Sequence, residues 1–173
     1  MSALKRVTTG TACAISAIIA IVISNGAVRT SEKGLELIGN AESCRRDPYV
    51  CPAGVLTDGI GNTHGVKQNN RKSDEQIAAD WEKNILEAER CVNKFGNGNK
   101  LNQGQFDAVT SITFNAGCAQ MQKSTMYRML REGKFTEACY QFPRWTYGGG
   151  KQLPGLVTRR EKEKSLCLTG DFK

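Results

Sequence analysis

The sequence predicts an α+β domain, with a small hairpin or three-stranded sheet near its start and a helical lobe behind it. Three observations carry this. Residues 44–65 split into short apolar pairs punctuated by Asp47-Pro48, Pro52-Ala53-Gly54, Asp58-Gly59 and Gly61-Asn62, the pattern of short strands and tight turns. The stretches on either side repeat apolar residues at helical spacing. The length of 173 residues suits one buried core with an appended segment.

The appended segment comes first. Lys5 and Arg6 precede an uncharged run over residues 10–28, whose dense part, residues 12–23, holds five isoleucines and one valine among alanines, Cys13 and Ser16. A basic pair ahead of an apolar run is a membrane-targeting signal that keeps the N-terminus cytoplasmic and sends the rest across. Twelve dense residues fall short of the roughly 20 that span a bilayer. Each Ile or Val gains only about 0.3–0.6 kcal/mol, so insertion is expected to be marginal. Ser24-Asn25-Gly26 also offers small residues for signal cleavage, and the segment by itself leaves cleaved and retained forms open. A permanent anchor fits this alanine-rich run least.

Ser31-Glu32 then opens a helix carrying Leu35, Ile38 and Gly39 that ends near Glu42. After the hairpin, Ser73-Asp74-Glu75-Gln76 has the form of a capping box. It starts a long helix with Ile77, Trp81, Ile85, Ala88 and Val92 on one stripe, running to about Phe95. Residues 102–117 repeat the pattern with Phe106, Val109, Ile112 and Thr113, and shorter helices are expected over 125–132 and 136–142. Gly148-Gly149-Gly150 reads as a loop, and Pro154 leads into a last helix that stops before Gly170. Trp81 and Trp145 are expected in the core.

Composition narrows the function. The net charge is +7, from 24 basic and 17 acidic residues; 11 of each sign fall in residues 29–100, while residues 101–173 hold 11 basic against 6 acidic. A basic second half suits an anionic polymer, either nucleic acid or cell-wall glycan, and the secretion signal decides against nucleic acid. Aromatics at 7% also argue against a base-stacking platform. One histidine, His64, is too few for a catalytic zinc held by two or three, and no metal or organic cofactor is indicated. Seven cysteines point to an oxidising compartment, and an odd number leaves one thiol free or shared between molecules.

The chemistry concentrates in residues 42–64. Glu42 sits at a helix end, Cys51 follows after eight intervening residues and Thr57 after five more. An acid on a helix facing a hairpin group suits acetal cleavage, one protonating the leaving oxygen while the other supports attack at the anomeric carbon. Singly, Glu42 would be an ordinary helix-end carboxylate and Thr57 a strand residue. Together with Gly59-Ile60-Gly61 and His64, the set resembles the phage-type lysozyme family, glycoside hydrolase family 24. The likeness continues through Phe114-Asn115-Ala116-Gly117, Arg144-Trp145-Thr146-Tyr147, Leu153-Pro154-Gly155-Leu156 and Arg159-Arg160-Glu161.

The resemblance implies a lysozyme-like fold and cleavage of the β-1,4 bond between N-acetylmuramic acid and N-acetylglucosamine. It makes Glu42 the general acid and has Thr57 place the attacking water or substrate. Cys51 stands where the family more often has Asp. A thiol with a reference pKa near 8.5 is only partly ionised at neutrality, so base, electrostatic and nucleophilic roles stay open. His64 is expected to orient the hairpin, with Asn84 the nearest match to the acid the family often pairs with it. Asn115 is a candidate for the cleft. Arg159 and Arg160 either line the cleft near Glu42 or form a solvated basic face. Two other readings compete: a Cys51–His64 peptidase or amidase acting on stem peptides, and a non-catalytic wall-binding module.

Among the cysteines, Cys91, Cys118, Cys139 and Cys167 lie in the helical lobe. Two bridges are expected there, Cys91–Cys118 and Cys139–Cys167, although four cysteines allow three pairings. Cys13, Cys44 and Cys51 remain. Losing the N-terminus would leave Cys44 and Cys51 as a pair and lock the catalytic position, so parity favours retention of Cys13. This set resembles the signal-anchor-release endolysins of phages that infect Gram-negative bacteria, the disulfide-isomerising kind. Asn25-Gly26, Val28-Arg29-Thr30 and Gly34-Leu35-Glu36-Leu37-Ile38-Gly39-Asn40-Ala41-Glu42 extend the likeness.

It implies a release segment over residues 1–28 and a catalytic domain over 29–173. The protein would be tethered inactive at the periplasmic face of the host inner membrane, with Cys44–Cys51 oxidised. Collapse of membrane energisation would free the segment into the periplasm, where Cys13 exchanges onto Cys44 and expels Cys51. The expected partners are a peptidoglycan glycan strand and, transiently, the membrane, with the protein monomeric.

Overall fold

The apolar run forms a helix, α1 (Ile15–Asn25), in a computed structural model that describes residues 12–173. Lys5, Arg6 and the first two residues of the run lie outside the described residues. Gly26 ends α1 in the left-handed region at φ 67°, its N–H donating to Ile23 O at 3.1 Å. One face of α1 buries Ile18, Ile19 and Val22, while Ile23 on the other side is 46% exposed. The expected membrane-inserting segment is here packed against protein, and among the described residues no helix is long and apolar enough to cross a membrane.

That buried face rests on α2 (Glu32–Glu42) and α3 (Asp74–Phe95). Ser31 caps α2, its hydroxyl accepting the Gly34 N–H. The three helices converge at Gly39, where a Cβ would come within 2.7 Å of Ile15 Cγ2 and 3.4 Å of the Trp81 ring. Only glycine lets α1 and α2 meet this closely.

Between α2 and α3 lies the hairpin of β1 (Arg45–Val50) and β2 (Leu56–Gly59). The strands are antiparallel, with Arg45 opposite Gly59, Tyr49 opposite Thr57 and Val50 opposite Leu56, so β1 carries two extra residues between Arg45 and Tyr49. Among the described residues the sheet is the hairpin alone, the two-stranded one of the two forms expected. A bridge between Ala12 and Arg45, with Cys13 N–H donating to Cys44 O at 3.3 Å, lays the stretch before α1 beside the hairpin.

The helical lobe follows. The Ser73–Gln76 capping box is complete, and Asn102 and Gln105 form a second one at the start of α4 (Gln103–Ala116). Phe106 to Thr113 of α4 are all buried, making it the central helix, packed on α2, α3 and α8 (Pro154–Thr169). Between α4 and α8 come α5 (Cys118–Met121), α6 (Thr125–Arg131), α7 (Phe135–Cys139) and a 3-10 turn, Phe142–Arg144. The helix expected over 136–142 thus stops at Cys139. The triple-glycine loop is the tip of a small hairpin, β3 (Tyr147–Gly148) and β4 (Lys151–Gln152), in which Gly149 and Gly150 adopt φ of 58° and 79°. Two successive positive φ values match the twist of paired strands and favour glycine.

Two cores result. One gathers Phe106, Val109, Ile112, Met121, Tyr127, Leu130, Phe142 and Leu166, with Trp145 half-buried against it. The other joins Ile18 and Val22 to Leu35, Ile38, Ile60, Ile77, Trp81 and Ile85. Three disulfides cross the structure: Cys91–Cys118 from α3 to α5, Cys139–Cys167 from α7 to α8, and Cys13–Cys44 from the start of α1 to the hairpin. Cys51 is free.

Candidate active site

Glu42 closes α2 just before the chain turns through Ser43, whose φ of 56° redirects it into β1. Its side chain is 21% exposed, and Oε1 accepts the Arg159 guanidinium at 2.6 Å. Oε2 faces the Asp58–Asn62 turn, where a Cβ on Gly61 would lie 2.9 Å from it. Gly61 at φ 64° is therefore both a turn former and the space into which the carboxylate fits.

Arg159 and Arg160 are buried, not a solvated basic face. Arg159 Nε donates to Glu163 Oε1 at 3.1 Å, and its Nη2 to Ser111 O at 3.2 Å. Arg160 donates to Glu163 Oε2 at 2.6 Å, to Trp145 O at 2.9 Å and to Asn115 Oδ1. Two cations and two carboxylates balance in one buried set. Burial works against the charge on Arg159, but the Glu163 and Glu42 carboxylates outweigh it and hold its pKa above the ordinary value. For Arg160 burial prevails and the pKa is lowered, even though Glu163 opposes it. Glu163 and Ser111 are the residues that motif reasoning missed. The spacing of Glu163, three residues after Arg160 and four after Arg159, is the signal that could have found Glu163.

The hairpin carries Cys51 and Thr57. Cys51 follows β1 in a tight turn, its N–H donating to Val55 O at 2.9 Å and its own carbonyl accepting from Gly54 at 2.8 Å. Thr57 is buried, and its hydroxyl donates to Val55 O at 2.9 Å. The Val55 backbone, and after it the Thr57 hydroxyl once it turns from Val55 O to the sulfur, favour the Cys51 thiolate and lower its pKa.

His64 lies in an open cleft of about 210 Å³ together with Gly61, Asn84, Glu87, Thr113 and Phe114. Asn84 meets the side chain of Asn62 rather than the imidazole, its Nδ2 donating to Asn62 Oδ1 at 3.0 Å. Asn62 in turn bonds the His64 backbone on both sides, Nδ2 to O at 3.1 Å and Oδ1 from N–H at 3.3 Å. The link between the long helix and the turn is thus a neutral amide pair. Asn115 lies on the outer side of the arginines, exposed and bonded to Arg160.

The arrangement combines a carboxylate, oriented by a buried arginine and set against the Asp58–Asn62 turn, with a hairpin that bears a thiol and a hydroxyl. The phage lysozyme pattern matches residues 39–163, which contain every one of these groups. The chain belongs to the phage lysozyme family. It is similar to the SAR-endolysin of Escherichia phage P1, at 51% identity over 172 residues that cover 93% of each chain. Among solved structures, this phage lysozyme superposes on the active form of P1 phage endolysin with a TM-score of 0.89 at 50% identity, covering 93% of this chain and 97% of that one. The secreted inactive form of that endolysin gives a TM-score of 0.59 at 49% identity, covering 82% and 96%.

Proposed function

We propose that Glu42, Cys51 and Thr57 carry out the reaction of this phage endolysin, a muramidase that hydrolyses the β-1,4 bond between N-acetylmuramic acid and N-acetylglucosamine of peptidoglycan. Glu42 protonates the leaving oxygen through Oε2, because Arg159 occupies Oε1. Cys51, as thiolate, supports the developing positive charge or the attack at the anomeric carbon, and Thr57 orients the attacking group. The observation that carries this reading is the Glu42–Arg159 pair at 2.6 Å, which fixes the carboxylate against the Gly61 turn. A Cys51–His64 peptidase is less well supported, since the partners of the Cys51 sulfur are Val55, Thr57 and Ala53 rather than His64.

The same proposal covers regulation. Residues 1–28 tether the protein, as a monomer, to the periplasmic face of the host inner membrane and then release it, while residues 29–173 do the chemistry. In the tethered form Cys44–Cys51 is oxidised. The hairpin register supports a large change between the states. Arg45 and Val50 pair with Gly59 and Leu56, three residues apart on β2, and Cys44 and Cys51 flank those ends. At about 3.3 Å per residue, the two cysteines stand at least about 10 Å apart. A disulfide needs Cα atoms within about 7 Å, so the oxidised form excludes this hairpin. The better superposition on an active than on an inactive relative agrees with that reading.

The test uses purified peptidoglycan and protein bridged at Cys13–Cys44. New reducing ends should appear without new free amino groups, and Glu42→Gln should slow their release by about 10²–10⁴-fold. Free amino groups without reducing ends would refute the glycosidase reading. Mapping disulfides in membrane-bound and released protein, with free thiols alkylated first, tests the exchange.

A further inference from the structure

Behind the hairpin lies a charged cluster that the site chemistry does not use. Successive strand residues face opposite ways, so Thr57 and Asp58 of β2 point to different sides. Asp58 is fully buried. Its Oδ1 accepts Asn62 Nδ2 at 2.8 Å, and its Oδ2 meets Lys72 Nζ at 2.7 Å and no other partner among the described residues. The backbones of Asp58 and Asn62 exchange two further bonds of 2.9 Å, closing the turn that holds Gly61 against Glu42.

Lys72 is buried and extends this connection in two directions. Its Nζ reaches Asp80 Oδ2 on α3 at 2.6 Å, and its N–H donates to Arg46 O of β1 at 3.1 Å. One residue therefore joins β1, β2 and α3 behind the strand whose front carries Thr57. Arg71–Asp47 at 2.8 Å and Arg46–Asp74 at 2.6 Å flank it. A buried lysine bridging two carboxylates is a poor way to gain stability, because desolvation consumes most of the attraction. What such a cluster supplies is geometric definition.

We propose that Lys72 is a positioning residue for the muramidase reaction: by tying Asp58 to Asp80 and to β1, it fixes the turn 58–62 against Glu42 and sets Thr57 beside Cys51. The inference rests on the assignment of Glu42, Cys51 and Thr57 given above. Without the ammonium, Asp58 Oδ2 is left buried and bare, and the turn must shift to bring it water or another donor. That shift displaces the Gly61 cradle of Glu42 and the hydroxyl of Thr57 together.

The experiment compares Lys72→Met, Lys72→Arg and Asp80→Asn in the full chain, bridged at Cys13–Cys44. Reducing-end kinetics, the pH dependence of Cys51 alkylation by iodoacetamide and a thermal melt are read for each. Lys72→Met should lower kcat by about 10- to 100-fold with KM within about twofold. The midpoint of its alkylation curve should move to higher pH, because Val55 and Thr57 no longer hold the thiolate. Lys72→Arg should restore most of both.

Asp80→Asn separates positioning from plain electrostatics and also decides the matter if Lys72→Met does not fold. Removing a negative charge would by itself shift the Cys51 midpoint down, whereas a loosened hairpin shifts it up. A midpoint that falls or stays, with kcat unchanged in folded Asp80→Asn, overturns the proposal, as does a folded Lys72→Met protein with normal kcat and midpoint. If Glu42→Gln keeps full activity, the site assignment fails instead, and the alkylation curves still report on the cluster.

Discussion

The two cores are built to different specifications. The helical one, around Phe106, Ile112 and Phe142, uses only residues from Leu37 onward and is stapled by Cys91–Cys118 and Cys139–Cys167. The other takes Ile18, Ile19 and Val22 from α1, and its single disulfide ties that same helix to the hairpin. One lobe is thus complete without the N-terminal segment, and the other is completed by it. Cys51 and Thr57 lie on the hairpin of the second lobe, and Glu42 ends α2, which sends Leu35 and Ile38 into that core and Leu37 into the other. Under the release scheme proposed above, the protein would keep a preformed scaffold and leave unfinished only the hairpin side of the site.

Substitutions can break this contrast or sharpen it. The largest effect is expected from Trp81→Ala, which empties the junction of α1, α2 and α3 and should cost about 4 kcal/mol in urea unfolding. Amide exchange should then accelerate in α1 and α2 while α6 to α8 stay protected; uniform acceleration would mean that the lobes unfold as one unit. Replacing Cys139 and Cys167 with Ser should cost about 3 kcal/mol and act on the opposite lobe, leaving Cys13–Cys44 formed in a disulfide map. The finest comparison lies within α1. Ile18→Ala should lose about 2–3 kcal/mol from the form bridged at Cys13–Cys44, while Ile23→Ser, on the exposed side, should stay within about 0.5 kcal/mol. Equal losses at the two positions would show that α1 does not dock by one face.

Much of this was legible in the residues. The Ser73–Gln76 box marks the start of α3, and the ordered set from Glu42 to His64 carries the likeness to the phage lysozyme family. What escaped notice was local pairing decided in three dimensions. The family likeness points to Asn84 as the neighbour of His64, but Asn62 turns its amide toward both Asn84 and the His64 backbone and takes the contact. For Arg159 and Arg160 the sequence leaves cleft lining and a solvated face open, because Glu163 is a neighbour on their own helix but the carboxylate that decides between the two, Glu42, lies 117 residues away on α2. The apolar run was the deepest ambiguity. Hydropathy records how much a segment avoids water and not which apolar surroundings receive it, so a run suited to lipid is also suited to the groove between α2 and α3.

The pairing of Ala12 with Arg45, and of Cys13 N–H with Cys44 O, bears on how activation would be timed. It presents the attacking sulfur to its target within one molecule, across 31 residues of chain. A tethered group of this kind meets its partner at an effective concentration on the order of millimolar. The proposed exchange is then first-order: it consumes no external reductant, conserves the number of disulfides and proceeds at the same rate however dilute the protein. Each copy would start its own clock on leaving the lipid, independent of its neighbours and of the redox buffer around it.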